Sequence, residues 1–403
     1  MNRIGKIFAV GLFMALLIGA GTAPYEPETH AQDGGTPSIF IPLVLDFSNA
    51  AAFQELTEDV PDQVQLDDTL TRDEMLDAEI LQPEYDEDAD DAAELSPTDD
   101  GDDDHDPTQA DPLFDPGEFP DSESEALARN EFSDEWAALE SDIAGFLEGT
   151  EEDTETEPES LAGDTSNGLY TRYYINGNRS FGTGSGFMWR TIGKLYFKVP
   201  GNSGWSSCTA SVVGRRAVIT AGHCVYTRGK GWHQDIRFYP GYQNGYIPFG
   251  EWRPSWIRTT NQWYNSSSLA HDYAVMVMQK RNGRNISYYT GYNGYMYGYS
   301  ATQHWHSFGY PSNIGGGRWP IVCSAQTHRR DSRSGPDPIG IGCDQTYGAS
   351  GGPWIVNYSP EYRSAKNYVF GVNSYIKVGK KTIYSPYFDS NAGNMIRWGR
   401  GFN

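Results

Sequence analysis

The sequence predicts an all-β carboxy-terminal domain behind a long acidic arm, on the strength of three observations. From Thr191 onward, short β-rich runs (Lys194 to Val199, Ala217 to Thr220, Tyr273 to Met278, Tyr368 to Val372) alternate with clusters of Gly, Asn, Pro and Ser. Many short strands with regular turn signals point to an antiparallel barrel or sandwich. Charge divides the chain at the same place. Residues 32–168 hold 44 acidic side chains against 2 basic ones, and residues 169–403 hold 26 basic against 8 acidic, so the overall −24 conceals a basic domain. The last part is also long enough for one all-β domain with a sizeable core. No internal repeat is evident.

Taken in order, residues 1–31 read as a secretory signal. Arg3 and Lys6 make a positive start, Ile7 to Ala20 is uncharged and mostly apolar, and Thr29-His30-Ala31 resembles the small-x-small end of a cleavage site. The apolar run is short for a membrane span and no later segment is long enough, so a secreted protein without stable membrane insertion is expected. Residues 32–168 form the acidic arm. Ile39 to Leu45 is a short apolar run with strand character. Residues 82–121 are dominated by Asp, Glu and Pro and cannot bury enough apolar area to offset chain entropy, so they read as disordered. The Asp99 to Asp104 run lacks a glycine where a calcium loop needs one, and it reads as a solvated acidic stretch.

Residues 122–149 predict one amphipathic helix. Ser122 with Glu125 makes a capping box, Leu127, Phe132, Trp136, Leu139, Ile143 and Phe146 share a stripe, and Gly149 is the stop. Such a stripe needs a partner, either elsewhere in the arm or on the basic domain. The domain of residues 169–403 carries all four cysteines, Cys208, Cys224, Cys323 and Cys343. An even count in an exported chain predicts two disulfides. Three pairings are possible, and Cys208–Cys224 with Cys323–Cys343 closes the shortest loops. No CxxC pair suggests zinc, so no metal or cofactor is expected. Four Asn-x-Ser sequons (Asn178, Asn265, Asn285, Asn357) matter only in a host that glycosylates them.

Three short signatures carry chemistry: Thr220-Ala221-Gly222-His223-Cys224, His271-Asp272-Tyr273-Ala274-Val275 and Gly348-Ala349-Ser350-Gly351-Gly352-Pro353. A serine hydroxyl is a poor nucleophile until a histidine removes its proton, and an aspartate holds that histidine in the productive tautomer. Of Asp235, Glu251 and Asp272, the first acidic residues after His223, only Asp272 immediately precedes a strongly apolar run, where a carboxylate can be buried against an imidazole; Asp235 is its rival.

On these motifs the block from about Thr191 to Asn403 resembles the trypsin-like (chymotrypsin-fold) serine proteases, more closely their secreted bacterial branch. The resemblance implies two antiparallel six-stranded β-barrels with the active site in the cleft between them. His223 is then the general base, Asp272 its orienting carboxylate and Ser350 the nucleophile, with the Gly348 and Ser350 N–H groups as the oxyanion hole. It also implies protein or peptide substrates, a monomer, and a staple from Cys224 to Cys208. Animal members carry an aspartate just before the serine, which pairs with the new N-terminus; here Ala349 stands there. Activation is therefore expected through removal or displacement of the arm as a prosegment, with the oxyanion hole formed beforehand.

Specificity is read from Asp344, six residues before Ser350, where trypsin-like members keep the carboxylate that selects Arg or Lys at P1. Ser374, Tyr375 and Ile376 would line the same pocket, although Ile376 replaces a glycine. Glutamate-specific relatives keep a histidine where this chain has Asn373. The acidic arm is expected to associate with the basic domain and inhibit it, weakened by salt. Processing is expected between Glu159 and Arg190; Arg172 and Arg179 fit self-cleavage after basic residues, and Glu159 fits an acidic P1. A glutamate-specific protease of the same fold and a non-catalytic homologue that only binds are the competing readings. Polyanion binding is a third, which the built-in acidic segment opposes; no nucleic-acid motif is present.

Overall fold

The computed structural model describes residues 52–55, 70–77, 79–80, 114–118, 122–139, 168–175, 185–359, 367–377 and 379–402. The expected signal, the Ile39 to Leu45 run, Ile143, Phe146, Glu159, Asn178 and Arg179 lie outside them. The arm contributes β1 (Ala52–Glu55), α1 (Arg72–Asp77), β2 (Glu79–Ile80), β3 (Phe114–Asp115), α2 (Ser122–Glu131) and α3 (133–139), and β4 (Tyr170–Tyr174) lies just past its expected end. The domain opens with α4 (Ser185–Thr191) and continues through β5 (Ile192–Lys198), β6 (Ser206–Val212), β7 (Ala217–Thr220), the small ribbon β8 (Tyr226–Thr227) and β9 (Gly231–Trp232), and β10 (Gln234–Pro240). Then come β11 (Pro254–Thr259), α5 (Asn261–Ser266), β12 (Ala274–Met278) and α6 (Ile286–Thr290). The second half holds β13 (Gly294–Met296), β14 (His304–Gly309), β15 (Ile321–Arg330), β16 (Ile339–Gly342), β17 (Pro353–Val356), β18 (Tyr368–Val372), β19 (Tyr375–Ile376), β20 (Thr382–Ser385) and α7 (Ser390–Arg400).

Six domain strands form the first sheet in the order β11-β12-β7-β6-β5-β10. Phe238 on β10 exchanges two backbone hydrogen bonds, 2.8 and 2.9 Å, with Trp252 on the approach to β11, which brings the last strand back to the first and closes a barrel. The second sheet runs β20-β16-β15-β14-β17-β18, and the chain leaving β18 continues into β19, which pairs with β20. That single segment closes the second barrel. Strands β6, β7 and β12 are buried along their whole length, which is why Ala217 to Thr220 and Ala274 to Met278 read as continuous apolar runs rather than alternating ones. Trp189, Trp252, Trp305 and Trp354 are fully buried and anchor the interior.

The acidic arm is read onto this frame mostly through backbone. β1 pairs antiparallel with β11, β2 parallel with β6, β3 antiparallel with β13, and β4 antiparallel with β15. β3 falls inside the stretch read as disordered. Its pairing needs no apolar burial, only a free strand edge, and Asp115 adds an ion pair to Arg400 at 2.7 Å. The predicted helix is present over 122–139 with a turn at Phe132 separating α2 from α3. Its stripe meets the basic domain: Phe132 packs edge-on against Tyr289, and Trp136 against Trp189 and Phe249. Glu131 bonds Arg281 at 3.2 Å and accepts from the Tyr289 hydroxyl at 3.0 Å. Among the described residues no helix is long and apolar enough to cross a membrane.

Candidate active site

β7 delivers the chain into a single 3₁₀ turn, Gly222–Cys224, that carries His223. Gly222 is required by close approach, since a Cβ there would stand 2.8 Å from the Trp263 ring and 3.0 Å from Asp272 Oδ1. The Cys208–Cys224 disulfide ties the turn to β6, and Cys323–Cys343 ties β15 to the loop after β16. Asp272 follows another 3₁₀ turn, Leu269–His271, just before β12, and is fully buried. Its Oδ2 lies 2.7 Å from His223 Nδ1, its Oδ1 accepts the His223 backbone N–H at 2.8 Å, and the Ser374 hydroxyl donates to Oδ2 at 2.6 Å. A carboxylate that only accepts puts the imidazole proton on Nδ1 and leaves the lone pair on Nε2. That Nε2 is buried and, among the described residues, has no hydrogen-bond partner. Asp235, the rival, is instead paired with Arg237, Lys198 and Arg253.

Ser350 sits in the loop between β16 and β17. Gly351 has φ +79°, and a Cβ on it would stand 2.0 Å from Thr220 Oγ1 and 2.8 Å from Ala221 N. The serine loop therefore lies directly on the segment that leads to His223. Thr209 fastens it there: its N–H donates to Ser350 O at 2.7 Å and its hydroxyl to Gly348 O at 2.8 Å. In a trans peptide the N–H points opposite the carbonyl. Tyr347 O is held by Ser312 N–H at 2.8 Å, and Ala349 O by Gly352 N–H at 2.9 Å and Asn373 Nδ2 at 3.0 Å. These bonds fix the directions of the Gly348 and Ser350 N–H groups, and among the described residues neither meets an acceptor.

Beside Ser350 lies a cavity lined by Thr346, Tyr347, Asn373, Ser374, Tyr375, Ile376 and Ile383. Three of the four residues expected to shape a specificity pocket are there: Ser374, Tyr375 and Ile376. Asp344 is absent from that lining. Its carboxylate takes the Arg172 guanidinium, while its backbone carbonyl accepts from Asn313 Nδ2 at 2.8 Å. Asn373 has no capacity left for a ligand: it accepts from Ser307 Oγ (2.7 Å) and Trp354 Nε1 (2.6 Å) and donates to Phe308 O (2.9 Å) and Ala349 O.

Sequence reasoning missed the supports. Thr209, Ser312 and Asn313 are ordinary polar residues with no local signature. His233 bridges Thr227 Oγ1 at 2.9 Å and Cys224 O at 3.0 Å while stacking on Phe197, and its burial pushes its pKa down to about 4. It steadies the ribbon that follows His223. Two described clusters gather three metal-ligating side chains, Cys208 with His223 and Cys224, and Cys323 with Cys343 and Asp344. In each, both sulfurs are already spent on a disulfide, so neither offers thiolates.

Two closed β-barrels, with a buried aspartate–histidine pair and a glycine-flanked serine at one cleft, define a chymotrypsin-fold hydrolase. The family model for trypsin matches residues 189–398, more than half of the sequence, and the chain belongs to that family. An extracellular metalloprotease of Bacillus subtilis (strain 168) is 29% identical over 103 residues, which span 26% of this chain and 33% of that protein. The chain thus covers about a third of that relative's length. Among solved structures, protease Anisep from Arthrobacter nicotinovorans is similar at 24% identity and TM-score 0.48, covering 58% of this chain and 100% of its own. The thermostable serine protease AL20 from an extremophilic microorganism is similar at 26% identity and TM-score 0.48, covering 53% and 98%. A Glu endopeptidase is similar at 18% identity and TM-score 0.46, covering 57% and 96%.

Proposed function

We propose that this chain is a secreted serine endopeptidase made as a zymogen, with residues 1–31 a signal, 32–168 a prosegment and 169–403 the protease. His223 acts as general base and Asp272 holds its tautomer and steadies the imidazolium. Ser350 attacks the scissile carbonyl to form an acyl-enzyme, and the Gly348 and Ser350 N–H groups receive the oxyanion. The observation that carries this reading is the buried Asp272, which accepts from His223 Nδ1, His223 N–H and Ser374 Oγ and leaves Nε2 unpartnered. Ser350 Oγ makes no hydrogen bond to Nε2 in this uncomplexed chain; such bonds often tighten only when substrate binds.

Activation by prosegment removal, without an N-terminal ion pair, is supported at Ala349. Ala349 is fully buried, and its methyl offers no charge to pair with a new N-terminus. Gln345 Nε2, donating to Ser307 O and Ile321 O at 3.2 Å, helps to hold the same loop. A P1 preference for Arg or Lys, suggested by Asp344, requires that carboxylate to exchange Arg172 for substrate.

The test is cleavage of a peptide panel differing only at P1 (Arg, Lys, Glu, Phe, Ala) by the full chain and its self-processed form, beside Ser350→Ala. Hydrolysis that disappears in the variant supports the assigned nucleophile. Equal behaviour of two folded proteins rejects it and favours a binding homologue.

A further inference from the structure

The ion pair between Arg172 and Asp344 joins an N-terminal strand to the segment that leads into the specificity cavity at Thr346 and Tyr347, and the mechanism above makes no use of it. β4 forms a five-residue antiparallel ladder with β15, from Ile321↔Tyr174 to Ala325↔Tyr170, and Arg172 stands opposite Cys323 in its middle. Cys323 is disulfide-bonded to Cys343, the residue before Asp344. The strand is therefore aligned by its backbone so that Arg172 reaches Asp344. Entry into β4 is shaped as well. Gly168 has φ +76°, and a Cβ on it would stand 2.9 Å from the His328 ring and 3.1 Å from Gly342 N. The loop after Asp344 supplies Thr346 and Tyr347 to the cavity. The second carboxylate oxygen of Asp344 is buried and, among the described residues, accepts nothing, so Arg172 is the cation paired with that carboxylate.

We propose that Arg172 is a specificity-determining residue of this protease: β4 stays in the working enzyme, and its guanidinium withholds Asp344 from the substrate. This rests on the serine-endopeptidase reading above. The cavity is then lined by Thr346, Tyr347, Ser374, Tyr375, Ile376 and Ile383 with no charged side chain, and it takes uncharged P1 side chains rather than Arg or Lys. Removing Arg172 leaves Asp344, two residues before the cavity-lining Thr346, without its cation, and a P1 guanidinium supplies one in bidentate geometry. It follows that Arg172 is not a processing site, because its strand is already paired on β15. The cut that releases the arm falls before Tyr170, where Leu169 is 75% exposed.

The experiment compares the wild-type full chain with Arg172→Ala, Arg172→Lys and the double variant Arg172→Ala with Asp344→Asn, on the same P1 panel. The N-terminal mass of each active species is measured alongside. The expected result is a wild type that prefers uncharged P1 residues and an active form that retains residues 170–174. Arg172→Ala should gain Arg and Lys cleavage relative to Ala and Phe by at least tenfold, read mainly in KM. The double variant should lose that gain, and Arg172→Lys should keep the wild-type ranking. A purely structural strut lowers stability in Arg172→Ala without moving the ranking, and that outcome overturns the proposal. So does a wild type that already favours Arg or Lys, or an active enzyme that lacks residues 170–174; neither depends on a variant folding. Loss of all hydrolysis in wild type, with Ser350→Ala identical, would instead overturn the serine-endopeptidase reading.

Discussion

Asn373→Leu separates scaffolding from catalysis, because leucine nearly matches the shape of asparagine and removes every polar atom. Four hydrogen bonds disappear, to Ser307, Trp354, Phe308 and Ala349, all inside the second barrel. At about 1 kcal/mol net for each such bond, stability falls by about 4 kcal/mol. One of the four steers chemistry. Asn373 Nδ2 holds Ala349 O, which sets the direction of the Ser350 N–H. Losing an oxyanion donor outright costs about 10²–10³-fold in kcat. Here Gly352 N–H still holds the same carbonyl at 2.9 Å, so the donor is loosened rather than lost, and kcat should fall about tenfold with KM little changed. Urea unfolding gives the stability term, and steady-state kinetics on titrated active sites gives the other. A loss of about 4 kcal/mol with kcat unchanged would show that Asn373 braces the barrel without orienting Ser350, and the argument from peptide orientation would fail.

Asp272→Asn keeps the shape but reverses the tautomer preference of His223, and kcat should drop by about 10⁴ with substrate binding retained; a drop below tenfold would remove Asp272 from the mechanism. Lys194 is buried, its Nζ donating to Gly317 O at 2.9 Å, and burial lowers its pKa from 10.5 to about 7. The unfolded state then binds more protons between pH 7 and pH 10.5, so stability rises with pH across that window by on the order of 4 kcal/mol; Lys194→Met should flatten the rise in a pH series of urea melts. His233 works in the same sense lower down: its pKa falls from 6.5 to about 4, so stability is lost as pH falls through that interval, and His233→Asn should shrink the loss. Trp136→Ala removes the ring packed on Trp189 and Phe249 and should cost about 3 kcal/mol, seen as faster proteolysis within 122–139. The described ion pairs between arm and domain are few, so moderate salt should weaken that docking far less than Trp136→Ala does; equal effects would return the weight to charge.

How much was legible in the sequence depended on how local the cause is. His223 beside Asp272 was legible because each lies at the end of a buried apolar run that fixes its strand. The stripe Phe132–Trp136–Leu139 was legible from its spacing, and the contacts with Tyr289 and Trp189 settle which surface it meets. Asp344 was legible as a carboxylate near Ser350 but not as the partner of Arg172, which is 172 residues away and arrives through strand pairing. β1 to β4 left no periodic signal, because two- to five-residue strands are selected by the edge they complete and not by their own pattern. Helix α7 went unpredicted although Asp389 caps it, accepting from Asn391 and Ala392 N–H. Gly393 and Gly399 depress its helix propensity, yet a Cβ at either would stand 2.3 Å from Tyr297 or 2.5 Å from Val275. Close packing there overrides propensity.

The same distinction bears on the acidic arm. Its composition suggests a polyanion drawn to a basic surface, and among the described residues the ion pairs of Asp115 and Glu131 are joined by ladders on β11, β6 and β13 and one aromatic stripe. Unpaired strand edges are where a nascent β-barrel mispairs or associates with another copy. Under the proposed prosegment reading, an arm that supplies short strands to those edges would protect them during folding, and its charge would keep the unassembled chain soluble. Strands removed by processing must then be ones the finished barrels can lose, and a strand that carries a specificity residue must stay. Under the proposed reading the boundary falls just before β4: upstream strands would serve folding, while the strand holding Arg172 would belong to the enzyme.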